Sequence, residues 1–117
     1  LYPMWYSIQS ACRLFKNYVE NNDIKYDFIV RVRFDMWFHH QLKYETLNST
    51  LLYTSNAAWG FHEYLFDDSW GICGQDRYIE IYENIYDNFK NRHINRNFIH
   101  RGEENTYEHL KDLNQLN

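Results

Sequence analysis

Tyr26-Asp27-Phe28-Ile29-Val30-Arg31-Val32-Arg33-Phe34-Asp35 is the stretch on which the fold turns. Phe28, Ile29, Val30 and Val32 form the apolar, β-branched run expected of a short strand covered on both faces. Arg31 and Arg33 are two apart, so an extended backbone sends both to one side, and Asp35 follows at the same parity as the strand gives way to a loop. In an α/β sheet the carboxyl ends of strands are where ligand chemistry collects. Two guanidinium groups and a carboxylate at such an end read either as a ligand site or as an internal ion pair closing the strand. Spacing alone leaves both open.

Upstream, Met4, Trp5, Ile8, Ala11, Cys12, Phe15 and Val19 recur at helical spacing and predict a helix over residues 4–20, with Pro3 suited to its first turn. Asn21-Asn22-Asp23 breaks the pattern before the strand. Helix, short loop, strand is the second half of a βαβ unit, which implies an α/β fold with a mostly parallel or mixed sheet. Downstream, Leu51 to Thr54 fits a short strand, followed by a loop from Ser55 to Glu63. Asp67-Asp68-Ser69-Trp70-Gly71-Ile72-Cys73-Gly74 reads as an acidic loop running into a second small-residue strand. Paired carboxylates there suit a general base, a hydroxyl ligand or a cation, or a solvated turn whose Asp side chains bond their own backbone.

The strongest helical pattern covers residues 75–92. Tyr78, Ile79, Tyr82, Ile85, Tyr86 and Phe89 make one face, Asp76, Glu80, Glu83 and Asp87 the other, and Lys90 and Arg92 suit the C-terminal dipole. A basic mixed segment, residues 91–101, precedes Gly102 and a last helix over residues 103–113. The chain therefore reads as one domain of three flanking helices around a short sheet.

With 117 residues, 44% hydrophobic and 20% aromatic, the chain can bury a core and does not resemble a disordered segment. A net charge of −4 argues against a nucleic-acid-binding surface. No run of about 18 apolar residues offers a membrane span, and no basic-then-apolar leader is visible. Cys12 and Cys73 lack metal-ligand spacing and read as free, buried thiols, which points to a cytoplasmic location. His39-His40 and His62-Glu63 lack the frame of a metal site, and Asn48-Ser49-Thr50 fits a glycosylation acceptor only in a secreted chain. Phosphate-loop, nucleophile-elbow and Cys-x-x-Cys motifs are absent.

Three blocks in order carry a resemblance: Tyr26 to Asp35, Asp67 through Gly74 to Tyr86, and Glu103-Glu104-Asn105-Thr106-Tyr107-Glu108-His109-Leu110. Together they resemble GT-A-type glycosyltransferases of bacterial and large-virus surface glycan biosynthesis. The resemblance implies a partial GT-A, Rossmann-like domain. Residues 1–117 would be its central to C-terminal part, lacking the first nucleotide-binding strands. Leu1 in place of an initiator Met and the polar close at Asn114, Gln115 and Asn117 agree with a piece that associates with the rest of a larger protein.

It implies sugar transfer from a nucleotide-sugar donor to a glycan or other hydroxyl acceptor. In that family the strand ends in Asp-x-Asp, which holds Mn²⁺ or Mg²⁺ against the donor diphosphate. Asp35 matches the second Asp as the metal ligand, whereas Arg33 stands where the first would be. Arg31 and Arg33 are then expected to neutralise the diphosphate directly. Asp68, with Asp67 in reserve, is implied as the base that takes the acceptor proton. Trp59 and Trp70 are candidates for stacking on sugars, and either Cys73 or Gly74 matches the family's glycine. Two other readings compete: a non-catalytic α/β interaction domain, and a phosphate- or nucleotide-binding enzyme of another class.

Overall fold

The computed structural model describes residues 2–37, 41, 43–54, 69–96 and 109–113. Among them the chain is mixed α/β, with three helices and a two-stranded sheet. Helix α1 spans Tyr2–Asn22, strand β1 Ile29–Val32, a 3-10 turn Tyr44–Thr46, strand β2 Trp70–Cys73, helix α2 Gln75–Tyr82 and helix α3 Ile85–Arg96. Residues 109–112 form a further helical turn closed by the Leu113 N–H donating to the His109 carbonyl at 3.1 Å. No helix of the described residues is long and apolar enough to cross a membrane.

The sheet corrects the sequence reading in two ways. Strands β1 and β2 run antiparallel, with Ile29 opposite Cys73 and Val32 opposite Trp70. Among the described residues the expected mostly parallel or mixed sheet is not seen, and α1 followed by β1 is not half of a parallel crossover. Nor is β1 covered on both faces. Ile29 packs on the core, whereas Val30 and Val32 on the opposite face are 42% and 43% exposed. The period-2 alternation expected of a half-covered antiparallel strand is present, but its outer positions are filled by valine. The segment expected as a strand at Leu51–Thr54 contributes one bridge, Tyr53 to Ile72, on the other edge of β2.

The core joins Trp5 and Cys12 of α1, Cys73 of β2, Tyr78, Ile81 and Tyr82 of α2, Ile85 and Phe89 of α3, and Leu110. The two helical stripes read from sequence thus meet each other: Trp5 stands edge-on to Phe89 at 4.7 Å, and Phe15 edge-on to Tyr78 at 5.4 Å, geometries that the ring quadrupoles favour. Cys12 and Cys73 are free and buried, as expected.

The helix expected over residues 75–92 is two helices. Arg13 on α1 donates from Nε to the Glu83 carbonyl at 3.0 Å and from Nη2 to Asn84 Oδ1 at 3.0 Å and Asp87 Oδ2 at 2.9 Å. Lys16 adds Nζ to Glu83 Oε1 at 2.5 Å. The Glu83 carbonyl is taken by Arg13 and the Asp87 N–H donates to Gln9 Oε1 at 3.1 Å, so side chains of α1 occupy both groups of that rung. The same contacts fasten α1 across the α2–α3 junction.

Candidate functional site

The Arg33–Asp35 pair stands at the carboxyl end of β1. Its backbone extends the ladder by one rung, the Arg33 N–H donating to the Ser69 carbonyl at 2.9 Å. The chain then turns, with the Met36 N–H donating to the Arg33 carbonyl at 3.2 Å, so Asp35 is brought back beside Arg33. The guanidinium grips the carboxylate with both prongs, Nε to Oδ1 at 3.0 Å and Nη2 to Oδ2 at 2.5 Å. Hydrogen bonding from Arg33 holds the Asp35 carboxyl below its usual range, so it stays anionic. Both side chains are more than half exposed.

Arg31 takes a different course despite its equal parity. It faces the core side of the sheet, half-buried, with its guanidinium carbon 5.2 Å from the centre of the Tyr82 ring. The structure therefore brings Arg33 and Asp35 together and directs Arg31 inward. Asp67 and Asp68 lie outside the described residues, as do His39, His40, Trp59, His62 and Glu63. Ser69, the residue after Asp68 in the chain, is buried, and Trp70 is half-buried in β2 with its carbonyl accepting from Thr54 Oγ1 at 2.8 Å.

A two-carboxylate cation site is not composed by the described residues. Asp35 is the one carboxylate they place at this strand end, and both its oxygens accept from Arg33. No group of three His, Cys, Asp or Glu ligands comes together among them.

A cleft that no sequence motif announces lies at the opposite end of the sheet. It has a volume of about 780 Å³ and lies between the lead-in to β1 (Lys25 to Phe28), the segment from Tyr44 to Thr50, and the start of α2. Gly74 makes this meeting possible. Its N–H donates to the Ser49 carbonyl at 2.9 Å, and a Cβ there would collide with the Ser49 backbone. Gln75 ties down the β1 lead-in, its Oε1 accepting from the Tyr26 N–H at 2.8 Å and its Nε2 donating to the Ile24 carbonyl at 3.3 Å. Lys25 pairs with Asp76 at 2.7 Å. Arg77 donates to the Thr50 carbonyl and pairs with Glu80 at 3.7 Å. The signal in the sequence was two Tyr-acid dipeptides, Tyr26-Asp27 and Tyr44-Glu45, whose nearness depends on tertiary contacts.

Comparisons with protein-family models, curated proteins and solved structures find no match to this chain.

Proposed function

We propose that the chain is part of a nucleotide-sugar-dependent glycosyltransferase of GT-A type, with the donor diphosphate held at the Arg33–Asp35 end of β1. The observation that carries this reading is the Arg33 N–H to Ser69 carbonyl hydrogen bond. It joins the end of the Arg-x-Arg-x-Asp strand to the residue that directly follows the Asp67-Asp68 pair. Two of the sequence blocks, separated by more than thirty residues, thus converge on one point. Asp35 holds the Nε–Nη2 edge of Arg33 and so fixes the guanidinium, whose delocalised charge neutralises the phosphate. Asp68, or Asp67, takes the acceptor hydroxyl proton, and the acceptor is a glycan or another hydroxyl compound. Arginine takes the neutralising role, so no step is assigned to Mn²⁺ or Mg²⁺. Arg31, stacked on Tyr82, supports the strand rather than contacting the donor.

The test is thermal stabilisation by a panel of nucleotide sugars, with and without Mn²⁺. At least one donor is expected to raise the melting temperature without metal, and Arg33→Ala or Asp35→Asn to reduce that shift. Stabilisation by plain nucleotides and phosphate, indifferent to the sugar, contradicts glycosyl transfer and fits a phosphate-binding enzyme instead.

A non-catalytic interaction domain is the second reading. It is favoured by the apolar outer positions of the sheet and its exit loop, where Val30, Val32, Phe34 and Trp37 are all exposed. On that reading no donor stabilises the chain, and Phe34→Ser together with Trp37→Ser abolishes binding to the partner.

A further inference from the structure

We infer that the cleft at the amino end of β1 is a saccharide-binding subsite, separate from the Arg33–Asp35 end of the strand. The chemistry of its walls selects the ligand class. Phe28 and Tyr44 approach from two walls, their ring centres 6.5 Å apart at an interplanar angle of 44°. Tyr44 is 45% exposed and Tyr26 42%, so aromatic surface is offered to the opening. The cations of the cleft are already engaged, Lys25 with Asp76 and Arg77 with Glu80 and the Thr50 carbonyl. Asp27 and Glu45, in contrast, have no ion-pair partner among the described residues.

Spare carboxylates disfavour a phosphate or nucleotide, and Lys25 and Arg77 already neutralise Asp76 and Glu80, which leaves a polyamine only Asp27 and Glu45. Charged walls equally disfavour a purely apolar ligand. A pyranose meets all of these conditions. One ring face presents C–H groups to an aromatic side chain, and its hydroxyls donate to carboxylate oxygens. The volume suits a short oligosaccharide, within the usual range for ligand pockets. The inference does not rest on the transfer reading, because it concerns binding of a free sugar at residues that the donor does not touch.

The experiment is titration of the chain with neutral hexasaccharides (maltohexaose, cellohexaose, chitohexaose and mannohexaose), followed by calorimetry, with spermidine and inorganic phosphate run in parallel. At least one hexasaccharide is expected to bind. Tyr44→Ala should weaken it about tenfold, the scale of one aromatic contact. Asp27→Asn and Glu45→Gln should each weaken it as well, while Lys90→Gln on α3 leaves it unchanged. The conservative carboxylate variants keep the test usable should Tyr44→Ala unfold. Failure of every hexasaccharide to bind overturns the inference. So does binding indifferent to all three cleft variants, or binding confined to spermidine or phosphate. Donor stabilisation through Arg33 is read separately, so either proposal can fail without the other.

Discussion

The guanidinium of Arg31 lies over the ring of Tyr82, its central carbon 5.2 Å from the ring centre. Tyr82 is itself buried in the core, and burial raises its hydroxyl pKa. A cation set against a buried aromatic ring gains from the ring quadrupole and from packing of its own stem. Arg31→Ala is expected to cost about 2 kcal/mol in urea unfolding. Arg33→Ala should leave stability nearly unchanged, since its pair with Asp35 is solvent-exposed. Equal sensitivity at the two positions would contradict this division between an arginine packed on the core and one paired at the surface.

Burial pushes the Cys12 and Cys73 thiols up from 9.0 to about 12. Both should resist a thiol-specific reagent in the native state at pH 8 and react once the chain is unfolded. The folded pKa is the higher one, so these thiols leave stability intact below about pH 9. They diminish it from there to about pH 12, as the unfolded chain alone ionises. Alkaline denaturation of a Cys12→Ala, Cys73→Ala double variant should show a shallower loss over that window. A fast native reaction at pH 8 would refute the assignment.

Gly74 has an ordinary φ of −66°, so its requirement is spatial rather than conformational. A methyl group would strike the Ser49 backbone and stand 2.9 Å from the Ser49 Cβ. Gly74→Ala should therefore lower stability by about 1–3 kcal/mol, the usual range for overpacking. It should also weaken cleft binding, because the Tyr44 to Thr50 wall must retreat. A neutral effect on both would mean that the wall is easily displaced.

His109 is buried at 1% exposure, with Nε2 2.5 Å from the Ile81 carbonyl and its ring edge-on to Phe89 at 5.6 Å. The carbonyl can only accept, which assigns the Nε2 proton to His109. His109→Ala removes packing and a buried hydrogen bond together, with an expected loss of about 2–4 kcal/mol by chemical denaturation. His109→Phe restores volume but not the donor, and should recover only part of it.

The core was more legible than the sheet. A stripe such as Tyr78, Tyr82, Ile85 and Phe89 announces its buried face locally, because helical periodicity is a property of neighbours in sequence. Ile81 escaped because it lies off the stripe yet is fully buried against other elements. Strand direction has no such local signature. The run Ile29 to Val32 reads as buried on both faces, and only its pairing with Trp70–Cys73 reveals an antiparallel ladder with Val30 and Val32 outward. The α2–α3 break depended on Arg13, some seventy residues away in sequence. At the strand end Arg33 and Asp35 pair with each other, and spacing could not foresee that Arg31 turns to Tyr82. The cleft needs three segments distant in sequence to meet at once, which no local pattern announces.

The side-chain Nε–H resonance of Arg33, followed by NMR during titration with a panel of nucleotide sugars, tests the proposed donor site most directly. The account predicts that one donor moves this resonance and the Asp35 amide in a saturable way, and that inorganic phosphate reproduces the shift only weakly. Unmoved Arg33 and Asp35 signals at millimolar concentrations of every donor would contradict it.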